Sequence, residues 1–267
     1  MISKDSLGDR QKNYESQTVQ HLMPLVPIIC RVDGRAFSTF TKGLERPFDT
    51  NLSNLMVETT KFLVQETNAK IGYTQSDEIS LVWYNTEIGT ESFFDGKVLK
   101  MVSVIASMAT AVFNRFLPEH LPNKATKLAF FDARVFNVPT DWEATNYLIW
   151  REMDATRNSI SMAAQAKFSH NQLHKKNCAQ MQEMLFQNYG INWNDYPSAQ
   201  KRGTYVQKRE VVYVDNNAGT SYARKRMQIL DIPPLKKIAN REGVVFRYED
   251  PILKSELEVF DEEPESA

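Results

Sequence analysis

The 267 residues predict an α+β fold of the ferredoxin-like type, two strand-helix-strand units in the order β-α-β-β-α-β followed by a helical, basic second half. Three observations carry this. The β-rich run Leu25–Val32 stops at Asp33-Gly34-Arg35. A second apolar run, Ile71 to Tyr84, is broken only by Gln75-Ser76-Asp77-Glu78, so it reads as two strands and a tight turn. Between and after these runs lie stretches with apolar residues at helical spacing.

Taken in order, residues 6–20 are polar and helix-compatible and read as an amphipathic arm before the first strand. Asp49 or Thr50 caps a helix whose apolar face recurs at Leu52, Leu55, Met56, Thr59, Phe62 and Leu63. Strands at 70–74 and 79–84 follow, then a loop over 87–96. A long helix is expected at 97–117, with Ala106, Ser107, Ala109 and Ala111 allowing close approach to a sheet, and a strand at 127–136. The boundary between a first domain, 1–136, and a second, 137–267, falls near Pro139. The second half carries helical runs at 150–167 and 178–189 and a strand at 203–214. The third strand inserts antiparallel beside the first, which brings Asp33 opposite the Asp77-Glu78 pair although the chain separates them widely.

Composition is that of a globular protein, 42% hydrophobic and 24% charged. Cys30 and Cys178 are too few for a disulfide framework and fit a reducing cytoplasm. The apolar stretch 101–113 is too short to span a bilayer and carries Ser103, Ser107 and Thr110, so no membrane association is expected. Charge is unevenly placed. From Arg247 onward two basic residues face eight acidic ones, whereas Lys167 to Arg241 holds thirteen Lys and Arg against five Asp and Glu, with six Tyr or Trp interleaved. A basic, aromatic stretch suits contacts to RNA phosphates and bases, although composition alone favours a solvated lysine-rich surface.

Asp33-Gly34 or Ser76-Asp77 alone would read as a turn. Their meeting at neighbouring strand ends, with Glu78 added, describes a magnesium-nucleotide site: two Asp carboxylates and the Gly34 carbonyl for a pair of ions. Arg35, Ala36, Phe37, Ser38, Lys42 and Arg46 follow, with backbone N–H groups and cations suited to a triphosphate, while Phe37 and Phe40 read as core anchors. His170 and His174 stand at helical spacing without a third ligand.

The segments Arg31-Val32-Asp33-Gly34-Arg35-Ala36-Phe37, Arg46-Pro47-Phe48-Asp49 and Tyr73-Thr74-Gln75-Ser76-Asp77-Glu78 resemble the tRNA-histidine guanylyltransferase superfamily of 3′-to-5′ polymerases. Tyr147-Leu148-Ile149-Trp150-Arg151, with Asp154, and Lys201-Arg202-Gly203-Thr204 continue the resemblance through the second half. It implies a polymerase-type palm with Asp33, Gly34 and Asp77 as ligands of two Mg²⁺ ions and Glu78 as an essential neighbouring carboxylate. It also implies nucleotide contacts from Asp33, Gly34, Arg35, Ala36, Phe37, Ser38, Arg46, Ser76 and Asp77, with ATP and GTP as substrates, and a homotetramer. The expected tRNA contacts are Arg151, Arg157, Asn158, Lys175, Lys176, Lys201 and Arg202. Where eukaryotic members carry His-Ile-Asn-Asn, this chain has Thr156-Arg157-Asn158-Ser159 and resembles the bacterial and archaeal guanylyltransferase-like branch. The implied activity is template-dependent 3′-to-5′ addition repairing tRNA 5′ ends. The alternatives are guanosine addition to histidine tRNA and a nucleotide cyclase-like palm enzyme, which would need no RNA-binding half.

Overall fold

The computed structural model describes residues 6–90, 92–215 and 220–258. Helix α1 (Ser6–Ser16) precedes β1 (Ile28–Gly34), the single turn α2 (Phe37–Phe40), α3 (Thr50–Thr67), β2 (Ile71–Gln75), β3 (Glu78–Trp83), α4 (Val98–His120) and β4 (Phe131–Asn137). Then come α5 (Asp141–Gln165), α6 (His170–Leu173), α7 (Cys178–Tyr189), α8 (Ser198–Arg202), the long strands β5 (Thr204–Asp215) and β6 (Thr220–Leu230), and α9 (Lys254–Glu258). The strands form one antiparallel sheet in the order β4-β1-β3-β2-β5-β6, whose first four members are the ferredoxin-like set.

Strand alternation divides the core in two. Ile28, Cys30 and Val32 of β1 and Ile79, Leu81 and Trp83 of β3 face α3 and α4. Ile29, Ile71, Tyr73 and Val82 face the other way, onto Ala144, Leu148 and Ala155 of α5 and onto Leu235, Val244 and Val245. Asp49 caps α3 by accepting the Leu52 N–H at 3.0 Å, and Leu55, Met56, Thr59 and Leu63 are buried beneath it. Helix α4 is long and apolar enough to cross a membrane, and here it packs through Met101, Ile105, Ala109, Phe113 and Leu117. Of the small residues expected to approach the sheet, only Ala109 is buried; Ser107 and Ala111 face outward.

Three expectations are corrected. Strand β4 begins at Phe131 and not 127, because Asn114 of α4 claims Ala129, accepting its N–H at 2.9 Å and donating to its carbonyl at 2.8 Å. Helix α5 begins at Asp141, nine residues early, since Thr140 accepts the Glu143 N–H at 3.1 Å as its cap. The strand expected at 203–214 is β5, which joins β2 through Gly72↔Val206, Tyr73↔Tyr205 and Thr74↔Thr204, but it is not the last strand: β6, which was not expected, pairs along the whole of it. One sheet, and the core on its α5 face, therefore run across the boundary at residue 137. Of the acidic tail, residues 259–267 lie outside the described residues.

Candidate active site

Asp33 ends β1 and Glu78 opens β3, and the two are cross-strand partners. The Gly34 N–H donates to the Asp77 carbonyl at 3.1 Å, locking the β2–β3 turn onto the end of β1. Within that turn Ser76 is held at φ 53°, a left-handed backbone that costs a non-glycine residue about 1–3 kcal/mol, and its Oγ donates to Asp77 Oδ1 at 3.0 Å. Burial pushes the Asp77 carboxyl above the usual carboxylate range, and the negative charge of Asp33 pushes it in the same direction. Asp33 and Asp77 are hard oxygen donors at neighbouring strand ends, a pairing suited to a divalent cation. Among the described residues no group of three His, Cys, Asp or Glu side chains is poised for a metal, so the ligands expected from the sequence would be two carboxylates completed by backbone oxygen.

Glu78 does something else. Its Oε1 accepts from Arg151 Nε at 2.5 Å and its Oε2 from Arg151 Nη2 at 2.7 Å, while Arg31 Nη2 also reaches Oε2 at 2.5 Å. Both oxygens are thus committed to guanidiniums, and the pair holds Arg151 charged, above its ordinary pKa. Arg31 Nε is buried without a partner. Arg151 continues to Asp154 at 3.2 Å, and Asp154 to Arg157 at 2.7 Å, so a chain of ion pairs runs from the strand ends along α5. Arg151, expected on tRNA, is instead 5% exposed and serves the carboxylate. Its charge looked like surface because Glu78 lies far from it in sequence.

The segment between β1 and α3 carries most of the residues expected at a nucleotide. A Cβ at position 34 would stand 2.3 Å from the Phe37 ring, so Gly34 is required by close packing of that ring. Phe37 itself stacks among Phe40, Phe113 and Phe131. Its side chain belongs to the core, which leaves only its backbone for a ligand. Ala36 turns at φ 56° before α2, and the exposed Arg35 donates its N–H to the Phe130 carbonyl at 2.8 Å. A cavity of about 360 Å³ opens beside them, lined by Ser38, Arg46 and Ser76, which the sequence predicted, and by Gln75, Gln165 and Gln200, which it did not. Those glutamines are uncharged, unpatterned and brought together from three elements, so no sequence signal marked them.

The remaining expected contacts scatter. Arg157 and Asn158 are exposed, both turned toward Asp154. Lys201 Nζ donates to the Asn194 carbonyl at 2.5 Å and lies 5.6 Å from the Trp193 ring, and Arg202 Nε stands 3.6 Å from Glu152. Lys175 and Lys176 are exposed on the turn before α7. Gly203, at φ 81°, lets β5 approach β2: a Cβ there would lie 2.6 Å from the Thr74 carbonyl. Tyr73 donates its hydroxyl to the Arg202 carbonyl at 2.6 Å, which fixes the Lys201-Arg202 turn beside the carboxylate hairpin. His170 opens α6 and His174 follows its last residue, their tilted rings 6.4 Å apart between centroids.

Comparison with known proteins follows the same residues. The family model described as "Thg1: tRNAHis guanylyltransferase" matches residues 8–139. The tRNA(His) guanylyltransferase of Schizosaccharomyces pombe is 30% identical over 207 residues, 72% of this chain and 77% of its own. Among solved structures, a bacterial tRNA(His) guanylyltransferase (Thg1)-like protein in complex with ATP superposes with TM-score 0.78 at 39% identity, covering 91% of this chain and 99% of that one. The GTP complex of a bacterial Thg1-like protein gives 0.75 at 40% identity, covering 92% and 100%.

Proposed function

We propose a function from one premise: the chain belongs to the Thg1 family of tRNAHis guanylyltransferases and is a nucleotidyltransferase. On our reading it restores missing 5′ nucleotides of tRNA in the 3′-to-5′ direction, copying the opposite strand of the acceptor stem. The observation that carries this is the use of Thr156-Arg157-Asn158-Ser159. Arg157 and Asn158 are engaged with Asp154, and Ser159 Oγ accepts from Trp193 Nε1 at 3.2 Å and donates to the Lys201 carbonyl at 3.1 Å. With that turn of α5 tied into the protein's own framework, choice of nucleotide falls to base pairing with the template.

Asp33, Asp77 and the Gly34 carbonyl would hold two magnesium ions, which when bound neutralise phosphate charge and stabilise the attacking and leaving oxygens. Ser38, Arg46 and Ser76 hold the triphosphate in the adjoining cavity. In the first displacement an oxygen of the tRNA 5′-phosphate attacks the α-phosphorus of ATP or GTP, and pyrophosphate leaves. In the second, the 3′-hydroxyl of an incoming nucleoside triphosphate attacks the activated 5′ phosphorus and the nucleoside monophosphate leaves. Both are in-line, so the protein's contribution is positioning and charge. Glu78 contributes by clamping Arg31 and Arg151, which fixes the strand ends that carry the two aspartates. The same reading places the enzyme in the cytoplasm as a homotetramer, with Cys30 and Cys178 reduced.

Competition between a tRNA lacking its first 5′ nucleotide and full-length histidine tRNA tests the reading. The ratio of kcat/KM values is expected to favour the truncated substrate, with the added base following the template. A preference for untemplated guanosine on full-length histidine tRNA would return the chain to the guanylyltransferase reading.

A further inference from the structure

On the face of the sheet that packs against α5, the β1–β4 end is partly open. Arg31 and Arg134 are cross-strand partners on this floor, as are Asp33 and Asp132. Asp132 and Arg134 are more than half exposed. Beside the floor stands the flank of α5. Tyr147 meets Ser80 Oγ through its hydroxyl at 3.2 Å and packs on Phe136 of β4 at 5.8 Å. Trp150 packs on Tyr147 at 5.7 Å, and the Arg151 guanidinium lies 4.5 Å from its ring centroid.

Trp150 is nonetheless 49% exposed. It packs against Tyr147 and Arg151, which Ser80 and Glu78 in turn hold, and it presents open indole surface next to a floor where Arg31 and Arg134 stand beside Asp33 and Asp132. A preorganised aromatic with cations beside it matches the π-face and phosphate of a nucleotide. The triphosphate cavity lies elsewhere on α5, at Met162 and Gln165, about 18 Å along the helix axis from Trp150. A nucleotide whose phosphates sit with Ser38, Arg46 and Ser76 does not occupy both places. We propose that Trp150 is a stacking platform for an unpaired nucleobase at the reacting end of the RNA substrate, a positioning residue that seats the acceptor end over the carboxylates. This rests on RNA being the substrate, as the proposed function has it.

The test compares the wild type, Trp150→Ala and Trp150→Phe, using a short acceptor-stem RNA that ends in one unpaired 2-aminopurine, and the same RNA with that base removed. Stacking should quench the 2-aminopurine in the wild type and in Trp150→Phe. Trp150→Ala should lose the quench and bind the RNA about tenfold more weakly, which corresponds to about 1.4 kcal/mol, within the range for one stacked base. The abasic RNA should bind all three proteins alike, and ATP affinity in magnesium should not move. Unchanged quench and affinity in Trp150→Ala would overturn the proposal, as would a parallel loss of ATP binding. A fall in assembly mass with RNA affinity intact would also overturn it, by assigning the ring to contact between copies. Quenching that depends on Trp150 in a protein that leaves truncated tRNA unextended would keep the platform and remove the repair activity.

Discussion

At the residue scale the two aspartates are the legible part of the site, and Asp77 sits where its charge is disfavoured. Asp77 has a raised pKa because burial and Asp33 both oppose its ionisation. A carboxyl raised in the folded state contributes stability below its unfolded pKa and loses it as pH rises through the folded value. The metal-free protein should therefore gain stability on mild acidification, and magnesium should stabilise it more at pH 7 than at pH 5. Asp77→Asn removes the charge while keeping the shape. Its metal-free melting temperature at pH 7 should rise by roughly 2–4 °C per kcal/mol relieved, magnesium should no longer shift it, and nucleotide addition should be abolished. Thermal denaturation across pH with and without magnesium checks this; an Asn variant that is less stable than wild type and still stabilised by magnesium would remove Asp77 from the ligand set. Glu78 was legible as essential and not as a clamp. A pattern of acids at strand ends does not say which one meets a metal and which meets Arg31 and Arg151, since those partners come from β1 and from a helix far along the chain.

At the element scale the six members of the ferredoxin-like set, β1, α3, β2, β3, α4 and β4, were legible because the two helices each bury one repeating face and the central strands are buried on both, which leaves short continuous apolar runs. Strand β6 could not be read this way. Its stretch Ser221–Arg226 is exposed throughout, so nothing forced apolar alternation, and its pairing with β5 depends on backbone hydrogen bonds that any sequence supplies. The start of α5 carried a usable signal, Thr140 three residues before Glu143, that a search from apolar spacing alone passes over. Gly203 shows the opposite case, a single residue on which an element junction depends. Gly203→Ala would force a left-handed φ on alanine and drive its Cβ to 2.6 Å from the Thr74 carbonyl, displacing β5 from β2. The expected cost is about 1–3 kcal/mol, measured as a lower denaturation midpoint with unchanged secondary structure; a variant as stable as wild type would mean that the β2–β5 junction tolerates rearrangement.

For the whole molecule, the second half adds β5 and β6 to the sheet and packs α5 over part of its second face, so the two halves share one sheet. That limits which basic residues are available to a polyanion. Arg151 is buried, Arg202 stands against Glu152, and Lys201 is bonded to the Asn194 carbonyl, whereas Lys175 and Lys176 project from the turn between α6 and α7. Charge counting along the chain could locate the basic half but not sort these roles, because burial is decided by contacts distant in sequence. The sorting has a measurable consequence. Removing one lysine–phosphate interaction should reduce the slope of log affinity for tRNA against log salt by about 0.7–0.9. Lys175→Ala with Lys176→Ala should flatten that slope by up to two such steps while leaving ATP affinity and melting temperature unchanged. Arg202→Ala should act mainly by lowering the melting temperature, because Glu152 keeps its buried hydrogen bonds from the Leu235 N–H and the Tyr205 hydroxyl but is deprived of its cationic neighbour. If the lysine pair leaves the salt slope intact and Arg202→Ala flattens it at constant stability, tRNA approaches along α8 rather than across the α6–α7 turn.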